Sequence, residues 1–96
     1  MQVSYRDSGK VARLELPQQF VFSSHVAFRE ALKNIRASEL VRALDIDFQR
    51  VRQIDSAALG MLRCLIYDEP RYLVRLLNPN HEIRGMLEMA QLAPST

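Results

Sequence analysis

Between Ala43 and Leu62 the hydrophobic spacing of the chain changes from every second residue to every third or fourth, across a short polar connection. In Ala43 to Phe48, Leu44, Ile46 and Phe48 fall on one side and Asp45 and Asp47 on the other, which is the signature of a strand, here expected to be central. After Gln49 to Gln53 comes Ile54-Asp-Ser-Ala-Ala-Leu-Gly-Met-Leu62, in which Asp55 suits the N-cap of a helix. Ile54 and Leu59 occupy the hydrophobic-staple positions around it, and Leu59, Leu62, Leu65 and Ile66 continue one apolar stripe. A strand feeding directly into a helix confines the chain to folds that pack helices on a sheet.

The flanking segments supply the rest of that sheet. Val3 to Arg6 and Val11 to Leu16 alternate around the turn-forming Asp7-Ser-Gly-Lys10 and read as a hairpin. Pro17 ends the second strand by removing a ladder donor, which leaves Gln18 to Phe22 as a loop or short edge segment. Ser23 or Ser24 is the expected cap of a first helix reaching about Ala37, with Phe28, Ala31, Leu32 and Ile35 on its apolar side. Asp68-Glu-Pro70 ends the second helix, and Tyr72 to Leu77 is an apolar strand expected to be covered on both faces. Asn78 or Asn80 caps a last helix bearing Ile83, Met86, Leu87 and Ala90, which Pro94 stops. This order implies an α/β fold, a mixed sheet of four or five strands with three or four helices, whose parallel strands need right-handed crossovers.

Ninety-six residues support one core, so a single domain over residues 1–96 is expected. A formal charge of +2, with acidic residues among the basic ones, gives no nucleic-acid footprint. No apolar run approaches the roughly 20 residues of a membrane span, so no membrane insertion is expected. Cys64 is the only cysteine, which excludes an internal disulfide and suggests a reducing, cytoplasmic address, as does an N-terminus without a hydrophobic export region.

Catalytic chemistry finds little support. His25 and His81 belong to no ligand-spacing motif, and the three glycines are scattered, so neither a metal nor a nucleotide cofactor is expected. Asp45 and Asp47 share a strand face, where paired carboxylates are more often solvated than catalytic. Cys64 lies next to the apolar stripe of the second helix and is expected to pack in the core. No nucleophile, base and oxyanion site can be assembled, and the chain is read as a non-enzyme.

What remains is the strand, loop and helix unit from Ala43 to Leu62. Its Asp47, Ile54, Asp55, Ser56, Ala57, Ala58, Leu59 and Gly60 resemble the pattern of the sulfate-transporter and anti-sigma-antagonist (STAS) domain family: a strand ending in an acidic residue, a polar loop, then Asp-Ser, two small residues, Leu and Gly. Phe22-Ser-Ser-His-Val-Ala-Phe-Arg29 is similar to the entry of that family's first helix, and Asn80 to Met89 to its last helix. Together the matches cover most of the chain.

The resemblance to bacterial anti-sigma factor antagonists implies partner switching. The unphosphorylated domain binds an anti-sigma factor that is also an ATP-dependent serine kinase, releasing the sigma factor or another downstream regulator. Phosphorylation of Ser56 ends the binding, and a serine phosphatase reverses it. Ser56 would stand at the first position of a helix, accessible to another protein's active site. The alternative at that residue is that Ser56 only shares capping with Asp55. The implied docking face is Arg52, Gln53, Asp55, Ser56, Ala57 and Ala58, with the loop from Arg50 and with Phe22 and Ser23 from the neighbouring Phe20 to Ser24 segment. Small residues at 57 and 58 would admit a close partner, or serve only helix propensity. A second reading from the same family is a subunit regulating a lipid-transport ATPase complex. Three positions depart from the pattern: Val21 replaces a frequent acidic residue, Ala58 a frequent Gly, and Asp68-Glu-Pro70 a Gly-containing turn. The first removes a polar contact and bears on which partner is chosen.

Overall fold

A computed structural model describes residues 1–94; residues 95 and 96, inside the expected domain range, lie outside the described residues. Strands β1 (Gln2–Arg6) and β2 (Val11–Glu15) form the antiparallel hairpin, with Gly9 at φ 86° in a turn that also places Asp7 and Ser8 in the left-handed region. A two-residue strand β3 (Gln19–Phe20) and a 3-10 turn (Phe22–Ser24) lead into α1 (His25–Arg36). Then follow β4 (Ala43–Asp47), a two-residue β5 (Gln53–Ile54), α2 (Ser56–Asp68), β6 (Leu73–Leu77) and α3 (His81–Met89). The main sheet has the order β1-β2-β4-β6, with β2–β4 and β4–β6 parallel, so β4 is central as its alternation implied. No helix among the described residues is long and apolar enough to cross a membrane.

Strand register decides which residues share a face. Leu14, Ile46 and Leu76 are aligned neighbours on one face, and all are buried with Phe28, Leu32 and Ile35 of α1, Leu62 and Leu65 of α2, and Ile83 and Leu87 of α3. Each such side chain contributes about 1.5–3 kcal/mol by leaving water. The opposite face carries Arg13, Asp45 and Arg75 in one aligned row and Glu15, Asp47 and Leu77 in the next.

That second face corrects two expectations. Asp45 and Asp47 are not solvated: each is only 5% exposed, because strands on both sides bring cations over them. Arg75 grips Asp45 through Nε and a terminal nitrogen at 2.6 and 3.0 Å, and Arg13 reaches Asp47 at 2.7 Å. Strand β6 is not covered on both faces either; it is an edge strand, and Leu73 is 66% exposed.

The helix ends were only partly anticipated. Asn80, not Asn78, caps α3, accepting the Ile83 N–H at 2.8 Å. The helix stops at Met89, before Pro94, through Gln91 in the left-handed region, with Gln91 N–H bonded to Glu88 O and Leu92 N–H to Leu87 O. Ser24 holds the N-cap position of α1, as one of the two expected residues, but its side chain makes no capping bond to the helix. Ser24 instead accepts the Val21 N–H and donates to Gln19 O, both at 3.2 Å, closing the 3-10 turn.

Cys64 is exposed, not packed in the core. The buried line of α2 runs through Ala58, Leu62 and Leu65, and Cys64 lies about 100° round the helix from Leu65 and about 200° from Leu62. One thiol should therefore react with Ellman's reagent in the native protein; a thiol that reacts only after denaturation would contradict this placement.

Candidate functional site

The parallel pairing of Gln19 with Gln53 and Phe20 with Ile54 is the local reason a site forms at all. Gln18 O accepts the N–H groups of Arg52 and Gln53 at 2.7 and 3.2 Å, tying the two loops together before either becomes a helix. The Phe22–Ser24 turn is thereby set beside the start of α2.

Asp55 joins the two. It is the N-cap of α2, with one carboxylate oxygen accepting the Ala58 N–H at 2.8 Å and the other accepting the Phe22 N–H at 2.9 Å. These amide donors, Ala58 first and Phe22 next, hold the Asp55 carboxyl below its ordinary pKa by bonding only its ionised form well. Ser56 is the first residue of α2, is exposed, and its hydroxyl has no hydrogen-bond partner among the described residues. Capping is therefore done by Asp55 alone.

Around this pair the expected docking residues separate into two groups. Arg50, Arg52, Gln53, Phe22 and Ser23 are exposed, and Ala57 is partly so. Phe22 is 64% exposed, large enough to anchor a partner. Ala58 must be removed from the face: it is 0% exposed and points into the core one turn before Leu62. Phe20 and Val51 are also fully buried, so the loops present Phe22 and Ser23 on one side and Arg50, Arg52 and Gln53 on the other.

His25 was missed as part of the site. Its ring lies 5.1 Å from that of Phe22, tilted by 31°, and its Nδ1 donates to Phe22 O at 2.9 Å, since a carbonyl oxygen can only accept. The Phe22 to His25 spacing of one turn was the available signal.

Beneath the site, Asp47 closes the end of β4. Its carboxylate accepts from Arg13, from the Gln49 N–H at 3.0 Å and from the Asn78 amide at 3.1 Å, while its carbonyl accepts the Leu16 N–H. Burial by itself would push this carboxyl's pKa up, but the Arg13, Asn78 and Gln49 donors together hold it below the ordinary value. The acidic residue at the strand end thus anchors the loop that leads to Gln53 and Asp55.

No curated protein matches the chain. The model of the STAS domain matches residues 2–96, and an acidic strand end, a short loop and a capped Asp-Ser helix start on a mixed sheet are the features that the match spans. The chain belongs to the STAS domain family, a family of regulatory domains.

Proposed function

We propose that this protein is an anti-sigma factor antagonist of the partner-switching kind, a binding module whose docking to an anti-sigma factor and serine kinase is ended by phosphorylation of Ser56. The observation that carries this reading is the unengaged, exposed hydroxyl of Ser56 at the start of α2. A hydroxyl recruited for capping would have been bonded to the helix, whereas this one is available to an ATP-bound kinase. Asp55, held by two backbone donors, keeps the turn in one shape for the kinase to recognise. Exposed Phe22, Ser23, Arg52 and Gln53 form the rest of the docking face.

Incubation with the cognate kinase and ATP, followed by mass spectrometry, tests the acceptor. Wild type is expected to gain one phosphate on Ser56, and Ser56→Ala to gain none while still binding the kinase. Equal phosphorylation of the alanine variant would overturn the assignment. Stable co-purification with a lipid-transport ATPase and no kinase would instead move the protein to the transport-regulating branch of the family.

A further inference from the structure

Phe22 leaves a large aromatic ring in water, 64% exposed, yet the turn that carries it is tied down. Ser24 takes both the N–H and the C=O of Val21, and the Asp55 carboxylate takes the Phe22 N–H. Backbone groups at the surface can bond to water, so burial does not demand these bonds.

The bond from the His25 side chain is the one the backbone needs least. Phe22 O already accepts the backbone N–H of His25, so the Nδ1 donor at 2.9 Å reaches a carbonyl that has a partner. What the second bond adds is direction. It fixes the imidazole, whose ring then lies against that of Phe22, with centroids 5.1 Å apart and planes tilted by 31°. One side chain thus holds both the carbonyl and the ring of Phe22, while Asp55 holds its amide from the position next to Ser56.

We infer that His25 is a positioning residue of the docking face, which sets the exposed ring of Phe22 in advance as an anchor for an apolar pocket on the kinase partner. This role rests on the partner-switching function and adds to it the residue that prepares the anchor. A ring that turns freely must be immobilised on docking, which weakens association, whereas a ring already held against His25 has little freedom left to lose. Buried aromatic anchors carry a large share of the binding at such contacts, so holding one matters more than holding a rim residue. His25 acts through Phe22.

A double-mutant cycle on binding to the kinase of the Ser56 assay, without ATP, tests this. Phe22→Ala is expected to lower affinity about 30-fold or more. His25→Ala should lower it about fivefold to tenfold. In the Phe22→Ala background His25→Ala should have no further effect, because the ring that it positions is gone. Losses that add would make His25 a contact in its own right and overturn the inference, as would full affinity of His25→Ala. Two spectra of the unmutated protein alone need no variant to fold. Imidazole nitrogen shifts at about pH 9 are expected to show neutral His25 with its proton on Nδ1, and side-chain couplings to show Phe22 in one rotamer. A proton on Nε2, or an averaged Phe22 rotamer, would overturn the inference without any partner present. Wild type that the kinase neither binds nor phosphorylates would remove the partner-switching reading and this role with it. Wild type that is bound and phosphorylated, with His25→Ala bound equally well, would overturn this role alone and leave the Ser56 assignment standing.

Discussion

Phosphorylated protein is expected to bind its kinase partner roughly 100- to 1000-fold more weakly than unmodified protein, with almost no change in its own stability. A phosphate on Ser56 places about two negative charges at the first position of α2. The helix end favours a negative group by about 0.3–1 kcal/mol, and repulsion from the adjacent Asp55 carboxylate subtracts from that. Asp55 is not free to turn away, because its two oxygens are bonded to Ala58 and Phe22 amides. The two local effects roughly cancel, so the fold is left as it was.

Docking is a different matter. A partner surface shaped for a neutral hydroxyl must bury the phosphate unpaired, at a cost of about 3–4 kcal/mol, which is the stated loss of affinity. The exposed ring of Phe22 would be lifted from its contact by the same bulk. Calorimetric titration of both forms with the kinase, alongside thermal melts and amide spectra, checks this. Affinities within a factor of about ten of each other would contradict it, as would a large loss of stability or shifts spread through α3.

How far the sequence already showed this follows from which interactions are local. The β1–β2 hairpin, the alternation of β4 and the Asp55 cap are each set by residues within a few positions, and each was legible. The environment of Asp45 and Asp47 was not, because it depends on β2 and β6 being the strands that flank β4. The same nonlocal fact makes β6 an edge and exposes Leu73. In α2, centring the apolar stripe on Leu59 when it lies on Ala58 is a one-residue rotation, about 100°. That small error misplaced both Ala58, expected at the docking face, and Cys64, expected in the core. The β3–β5 pairing, two residues long, had no periodicity to reveal it, yet it brings Phe22 to Asp55.

The largest effect on stability is expected at Asp47, where Asp47→Ala should cost about 2–4 kcal/mol and lower the melting temperature by about 10–20 °C. The substitution leaves the mostly buried Arg13 guanidinium without its partner and removes the acceptor of the Gln49 N–H and the Asn78 amide. Residual exposure of Arg13 keeps the cost below that of a fully enclosed charge. Asp47→Asn preserves shape but must turn its own NH₂ toward Arg13 or toward the Gln49 and Asn78 donors, so it also destabilises. The pH dependence has a definite sign. Because the folded-state pKa of Asp47 lies below its unfolded value of about 3.9, its contribution is fully present above that value. It is lost as pH falls through the folded pKa. Asp55 is shifted in the same direction and contributes over the same acid range, so wild type alone cannot isolate either. The difference in stability between wild type and Asp47→Asn cancels Asp55 and should be constant above about pH 5, then shrink toward pH 2. A variant melting within about 2 °C of wild type would show that the Arg13–Asp47–Asn78 cluster is not what fixes the end of β4. A difference that does not vary with pH would show that Asp47 acts through shape and not through charge.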